Sequence, residues 1–240
     1  MSIKTRLVDY SDQGTDLEGF LAYDDSLHGP RPTVLIAHQW DGRSAFIEGR
    51  ARMLATAGVV AFALDMYGKG VLGKSTEENT KLMTPLMQDR KRLAQRVQAG
   101  LDAATSQDVV DGDRVVALGY CFGGLCVLDL ARSGAPVRGV VSIHGLLKPP
   151  IHKFGNRIKA KVLVLQGAED PMAPMEDVLA FKEEMTQAGV DWQIHIYGHA
   201  KHAFAIPGAH DTKLGLQHDA NAERRSWKNA FDFMTEALLM

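Results

Sequence analysis

Short runs rich in β-branched residues alternate with segments long enough for helices, and this alternation constrains the fold more than any other feature. The runs are "TVLIAH" (Thr33 to His38), "VVAFALD" (Val59 to Asp65), "RVVALGY" (Arg114 to Tyr120), "GVVSIH" (Gly139 to His144), "KVLVLQG" (Lys161 to Gly167) and "WQIHIY" (Trp192 to Tyr197). Continuous apolar runs of this length suit strands buried on both faces, as parallel strands are. Helices are expected near Phe46 to Ala57, Glu77 to Thr105, Phe122 to Ala131, Met175 to Ala188 and Ala220 to Leu239. Strand followed by helix, repeated, implies right-handed crossovers and a mostly parallel sheet covered on both sides, an α/β fold. Ahead of it, "TRLVDY" and "EGFLAY" read as an antiparallel edge pair. No repeat, low-complexity tract or linker divides residues 1–240, so a single domain is expected.

Sites in open sheets of this kind gather at the carboxyl ends of strands. One such end carries "GYCFGG" (Gly119 to Gly124), directly after "RVVAL" and before an expected helix. Glycines there allow a sharp strand-to-helix turn in which neighbouring backbone packs closely. The turn presents its central residue at the tip and aims the first amides of the helix at it, where they favour a thiolate or an oxyanion. Cys121 thus occupies the place of the serine in a G-x-S-x-G nucleophile elbow, with a buried structural cysteine as the competing reading. An elbow nucleophile expects an acid and then a histidine in chain order. "AEDPMAP" places Glu169 and Asp170 after one strand, and "HAKHAF" places His199 and His202 after the next.

These residues carry a family resemblance. "GYCFGG", "LQGAEDPMAP" and "AKHAFAIP", with "VLIAHQWDG" and "ALDMYGKG", resemble the dienelactone hydrolase family of α/β-hydrolases from about Val34 to Phe204. The resemblance implies Cys121 as nucleophile, Asp170 rather than Glu169 as acid, and His202 rather than His199 as base. It also implies that the backbone amides of Gln39 and Phe122 form an oxyanion hole for the substrate. Two positions depart from the family pattern. Gln39 stands where a glutamate meets the cysteine, and an amide cannot accept the thiol proton. Ile206 stands where an arginine binds the substrate carboxylate, and an aliphatic chain offers no fork for an anion. Simple esters or lactones are therefore expected ahead of muconate-type lactones.

Composition excludes other classes. Lys plus Arg number 27 against 29 for Asp plus Glu, a net charge of -2, which gives no electrostatic reason to expect nucleic acid or an anionic membrane as partner. No stretch has the length of a spanning helix and the N-terminus lacks an apolar signal core, so a cytoplasmic protein, monomeric or homodimeric, is expected. No cofactor is expected. The histidines His195, His199, His202 and His210 lack a recognisable zinc spacing, so no metal is expected either. "DRKRLAQR" reads as a solvated helix face, and Met83, Leu86, Met87 and Leu93 as core or pocket wall. Two alternatives to a hydrolase remain: a catalytically silent small-molecule binder, and a thiol redox or sensor protein using Cys121 and Cys126. Five residues along a helix turn the second thiol about 140° from the first, a poor geometry for a resolving cysteine.

Overall fold

The computed structural model describes residues 2–152, 154–155 and 157–239. Eight strands form one sheet: β1 (Ile3–Asp12), β2 (Thr15–Asp24), β3 (Arg31–Ala37), β4 (Val60–Ala63), β5 (Val110–Tyr120), β6 (Gly139–Ile143), β7 (Lys161–Gly167) and β8 (Trp192–Tyr197). Their spatial order is β1-β2-β4-β3-β5-β6-β7-β8. From β4 to β8 every pairing is parallel, whereas β2 lies antiparallel to both β1 and β4. The antiparallel pair expected at the edge is present, with only β1 at the margin.

Alternation along the buried strands sends side chains to two separate cores. Val34, Ile36, Val116, Leu118 and Val141 pack under α1 (Ala45–Thr56) and α6 (Ala220–Leu239). Leu35, Ala117, Val140 and Val162 pack under α3 (Arg90–Thr105), α4 (Phe122–Arg132) and α5 (Met175–Gln187). Both layers are closed by aliphatic residues that the strand pattern alone requires.

The single helix expected from Glu77 to Thr105 is two. Between α2 (Thr76–Gln88) and α3, Asp89 leaves helical geometry (φ −116°, ψ 81°), and its carboxylate caps the new helix by accepting from the Arg92 amide at 2.9 Å. Pro85, inside the last turn of α2, removes one donor just before the break. Leu86 and Leu93 are buried, with Met83 and Met87 packed against the same core.

The basic run is only partly solvated, because two of its arginines turn inward to carboxylates, one half-buried and one fully buried. Arg96 is buried and bonds Asp12 at 2.6 Å, the Met66 carbonyl at 3.0 Å and Thr15 at 3.0 Å. Arg90 grips the fully buried Asp129 through Nε at 2.5 Å and Nη2 at 2.8 Å. Arg132 shares Oδ1 of that carboxylate, donating at 3.2 Å, and donates to Glu184 of α5 at 2.7 Å. The two guanidiniums also donate to the carbonyls of Lys148 and Leu147, which anchors the chain leaving β6. Replacing Asp129 by Ala strands this charge, so Asp129→Ala should lose about 3 kcal/mol in urea unfolding, while Arg92→Ala on the exposed side should lose under about 0.5 kcal/mol.

Candidate active site

Cys121 sits between β5 and α4 with φ 54° and ψ −117°, a left-handed backbone that most residues avoid. Glycines make this geometry possible. A Cβ on Gly119 would lie 2.0 Å from the Gly123 carbonyl oxygen, and one on Gly123 would lie 2.2 Å from that of Ala37. Gly124 meets Ser142 and Gly145 in the same way, at 2.6 and 2.8 Å. The elbow is thus pressed against β3 on one side and the end of β6 on the other.

Parallel pairing of Ala37 with Gly119 brings Gln39 and Cys121 to adjacent strand ends. His38, fully buried, fixes the backbone there. Its Nε2 accepts from the Met66 amide at 3.1 Å, so Nδ1 carries the hydrogen and donates to the Gln39 carbonyl at 2.6 Å. Burial holds the His38 pKa below the ordinary value, so this neutral tautomer persists. Tyr67 donates to the Trp40 carbonyl at 3.0 Å and stacks on Phe122, with ring centroids 6.0 Å apart. Among the described residues no protein acceptor takes the Gln39 amide. The Phe122 amide, first in α4, has no acceptor within its helix. Sequence reasoning missed His38 and Tyr67; the only sign of them was polarity at the ends of β3 and β4.

His202 reaches this elbow from the loop after β8. Its Nε2 is 3.1 Å from Cys121 Sγ, and its Nδ1 is 2.9 Å from Asp170 Oδ2. Since an ionised carboxylate only accepts, Nδ1 bears a hydrogen. Asp170 follows β7 and is held on both oxygens: the Gln166 side-chain amide donates to Oδ2 at 2.7 Å, and the amides of Met172 and Ala173 donate to Oδ1 at 2.8 and 3.3 Å. Gln166 is a further residue that the sequence marked only as a polar ending of an apolar run.

Backbone contacts fix the histidine as firmly. A Cβ on Gly167 would meet the Ala200 carbonyl oxygen at 2.4 Å, so the loop lies directly on the end of β7. The His202 carbonyl accepts from the Gln217 amide at 3.0 Å, beside a small ribbon of β9 (His210–Asp211) and β10 (Leu216–Gln217). That ribbon is too short to leave a periodic signal.

The neighbouring pair, Glu169 and His199, is also bonded, at 3.0 Å, but the His199 side chain is 94% exposed and that of His202 only 1%. The histidines named for a possible metal do not converge either, since the His195 ring bonds Asn229 instead. Cys126 is fully buried in α4, where burial pushes its thiol well above the ordinary value. Ile206 packs half-buried against the α1 and α6 side of the core. A cavity of about 720 Å³ between α5 and Pro149, Pro150, Phe154 and Ile158 is bordered by Arg132 and Glu184 and touches none of these groups.

The dienelactone hydrolase family model matches residues 17–238. The chain belongs to the dienelactone hydrolase family. Membership makes it a hydrolase acting on carboxylic esters. A solved dienelactone hydrolase-like promiscuous phosphotriesterase from metagenomic libraries is 37% identical, covers 99% of each chain and superposes with a TM-score of 0.94. The Caenorhabditis elegans protein K02A2.1 is 37% identical over 152 residues, 61% of this chain and 94% of that one. A probable 2-oxo-3-(5-oxofuran-2-ylidene)propanoate lactonase of Bradyrhizobium is 29% identical over 85% of this chain and 86% of its own. The α/β fold expected from strand and helix alternation, and the α/β-hydrolase architecture that the resemblance implied, are the architecture of this family. Among the described residues, no helix is long and apolar enough to cross a membrane.

Electrostatics at His202 generate a pH prediction. Burial opposes the imidazolium, but the charge of Cys121 and the hydrogen bonds to Asp170 and Cys121 outweigh it and raise the pKa to about 10. A pKa raised in the folded state stabilises below the ordinary value of 6.5, and that contribution fades as pH climbs through about 10. The difference in thermal midpoint between the native protein and His202→Gln should therefore shrink steadily from pH 6.5 to pH 10. A constant difference would count against the imidazolium.

Proposed function

We propose that this dienelactone hydrolase-family protein cleaves a carboxylic ester or lactone by attack of Cys121 on the acyl carbon, with His202 as base and Asp170 as its orienting acid. The observation that carries this reading is the unbroken chain from Sγ to His202 at 3.1 Å and from His202 to Asp170 at 2.9 Å. Sulfur adds to the carbonyl, and the carbonyl oxygen gathers negative charge as the tetrahedral intermediate forms. The amides of Gln39 and Phe122 donate to that oxygen. Collapse of the intermediate breaks the acyl–oxygen bond, and the His202 imidazolium gives its Nε2 proton to the departing alkoxide. Neutral His202 then takes a proton from water, hydroxide adds to the thioester, and the carboxylic acid leaves as the thiol is restored. Asp170 holds Nδ1–H throughout and balances the charge on the imidazole.

Two uncharged side chains at positions where the family pattern has charged ones point to an uncharged substrate. Gln39 brings no negative charge to the thiol, and Ile206 no positive charge to an acid. Lactone chemistry has a precedent in the name of the Bradyrhizobium relative. The 37% identical phosphotriesterase-named structure favours a second, side activity: attack of the same sulfur on a neutral phosphotriester, which expels an aryloxide and leaves a phosphorylated cysteine for water to clear.

Steady-state hydrolysis of an aryl ester should fall by about a thousandfold or more in both Cys121→Ala and His202→Ala, and the double variant should be little worse than either alone, because the pair acts as a unit. Asp170→Asn should be milder than either and still large. Substantial turnover left in Cys121→Ala would refute the nucleophile.

A panel of matched esters with and without a free carboxylate, plus a neutral aryl phosphotriester, tests the pocket. Neutral esters should be cleaved at least as well as acidic ones, and the phosphotriester slowly and only while Cys121 is present. A strong preference for the acid would mean that a cation outside position 206 meets it.

A further inference from the structure

His144 is a buried titratable residue next to this site that neither the proposed mechanism nor, among the described residues, any hydrogen bond of its ring uses. It follows β6 with φ +39°, and its amide donates to the Leu165 carbonyl at 2.8 Å. Its ring is fully buried, and among the described residues neither ring nitrogen has a hydrogen-bond partner. Three aromatic rings enclose it. His202 lies edge-to-face at 5.2 Å between centroids and 68° between planes, Phe204 edge-to-face at 5.2 Å and 82°, and Tyr120 tilted at 6.0 Å and 50°.

Packing alone does not account for an imidazole here. Each unpaired buried nitrogen carries a desolvation penalty that a hydrocarbon ring of similar shape lacks. What isolation does achieve is to settle which of two touching histidines holds a proton. His202 has a carboxylate on one nitrogen and sulfur on the other; His144 has nothing on either. The titratable rings packed against His144 are those of Tyr120 from the end of β5 and His202 from the loop after β8, and His202 in turn bonds Cys121 and Asp170.

We infer that His144 is a positioning residue: a permanently neutral aromatic ring that backs the imidazolium form of His202, so that the pair holds one proton and always on the same member. Burial, with the charge of His202 added, pushes His144 well below the ordinary histidine range, in the opposite direction to its neighbour. A neutral ring face supports a cation at its edge, whereas a charged ring would drive His202 to release its proton. Histidine also tolerates the left-handed backbone at this position better than most side chains.

This inference rests on the base role proposed for His202, and the test separates the two. Nitrogen NMR of the histidine-labelled native protein, titrated without substrate, should show His144 neutral at every pH at which His202 is charged. A charged His144, or one midpoint shared by both rings, would overturn the inference. His144→Phe restores an aromatic ring and should keep kcat within about threefold of native. His144→Ala should lower kcat about tenfold with KM little changed, and should lower the His202 midpoint by about one unit. An alanine variant that folds with native kcat and midpoint would overturn the inference. If the alanine variant does not fold, a folded phenylalanine variant that has lost tenfold or more in kcat overturns it equally, because the ring would not then be what matters. Turnover surviving in Cys121→Ala would instead refute the hydrolytic mechanism, leaving the substrate-free titration of His144 as it stands.

Discussion

Everything at this site depends on how closely three pieces of backbone approach one another at the elbow. Gly119, Gly123 and Gly124 have no room for a side chain because the Gly123 carbonyl, the Ala37 carbonyl and the Gly145 backbone occupy that space. The close approach holds Cys121 in a left-handed conformation and turns α4 so that its first amides face the strand ends. It also couples β3, β5 and β6 at one level, so that the residue beyond each strand meets the others. The nucleophile proposed here is therefore placed by the packing of main chain rather than by contacts of its own side chain.

Two acid–histidine pairs stand side by side after β7 and β8, and their surroundings separate them. Glu169 and His199 meet in water, where an ion pair contributes little. Asp170 and His202 meet under the surface, with Gln166 and two backbone amides saturating the carboxylate. In that setting the carboxylate cannot rotate away from the histidine without abandoning several donors at once. Sequence spacing cannot distinguish the pairs, since each acid is followed by its histidine at almost the same interval.

Much of this was legible in the sequence. Short β-branched runs identified six strands, the continuously apolar ones readable as covered on both faces, and β7 and β8 run over the residues expected. The positions of Cys121, Asp170 and His202 after β5, β7 and β8 followed from fold chemistry and from family likeness. Other features left no periodic trace. The break at Asp89 is a local choice of cap within a continuous amphipathic pattern, and the burial of Arg96 depends on Asp12, far away in the chain. Likewise, nothing near "SIHG" announces that His144 will lie against His202, because that contact is made only when the ends of β6 and β8 come to the same side of the sheet.

The clasp on His202 also has a consequence in time. Cys121 and its imidazole neighbour are 81 residues apart, and the loop carrying the histidine is tied down by Gln217, close to the last helix. During synthesis the elbow can form once β3, β5 and β6 have emerged, yet His202 can come beside its sulfur only after β7, β8 and the Gln217 segment that ties its loop down have followed. Until then the sulfur of Cys121 has no imidazole beside it. Under the proposed mechanism, the order of the elements along the chain keeps the thiol without its base until the loop after β8 has folded onto the elbow.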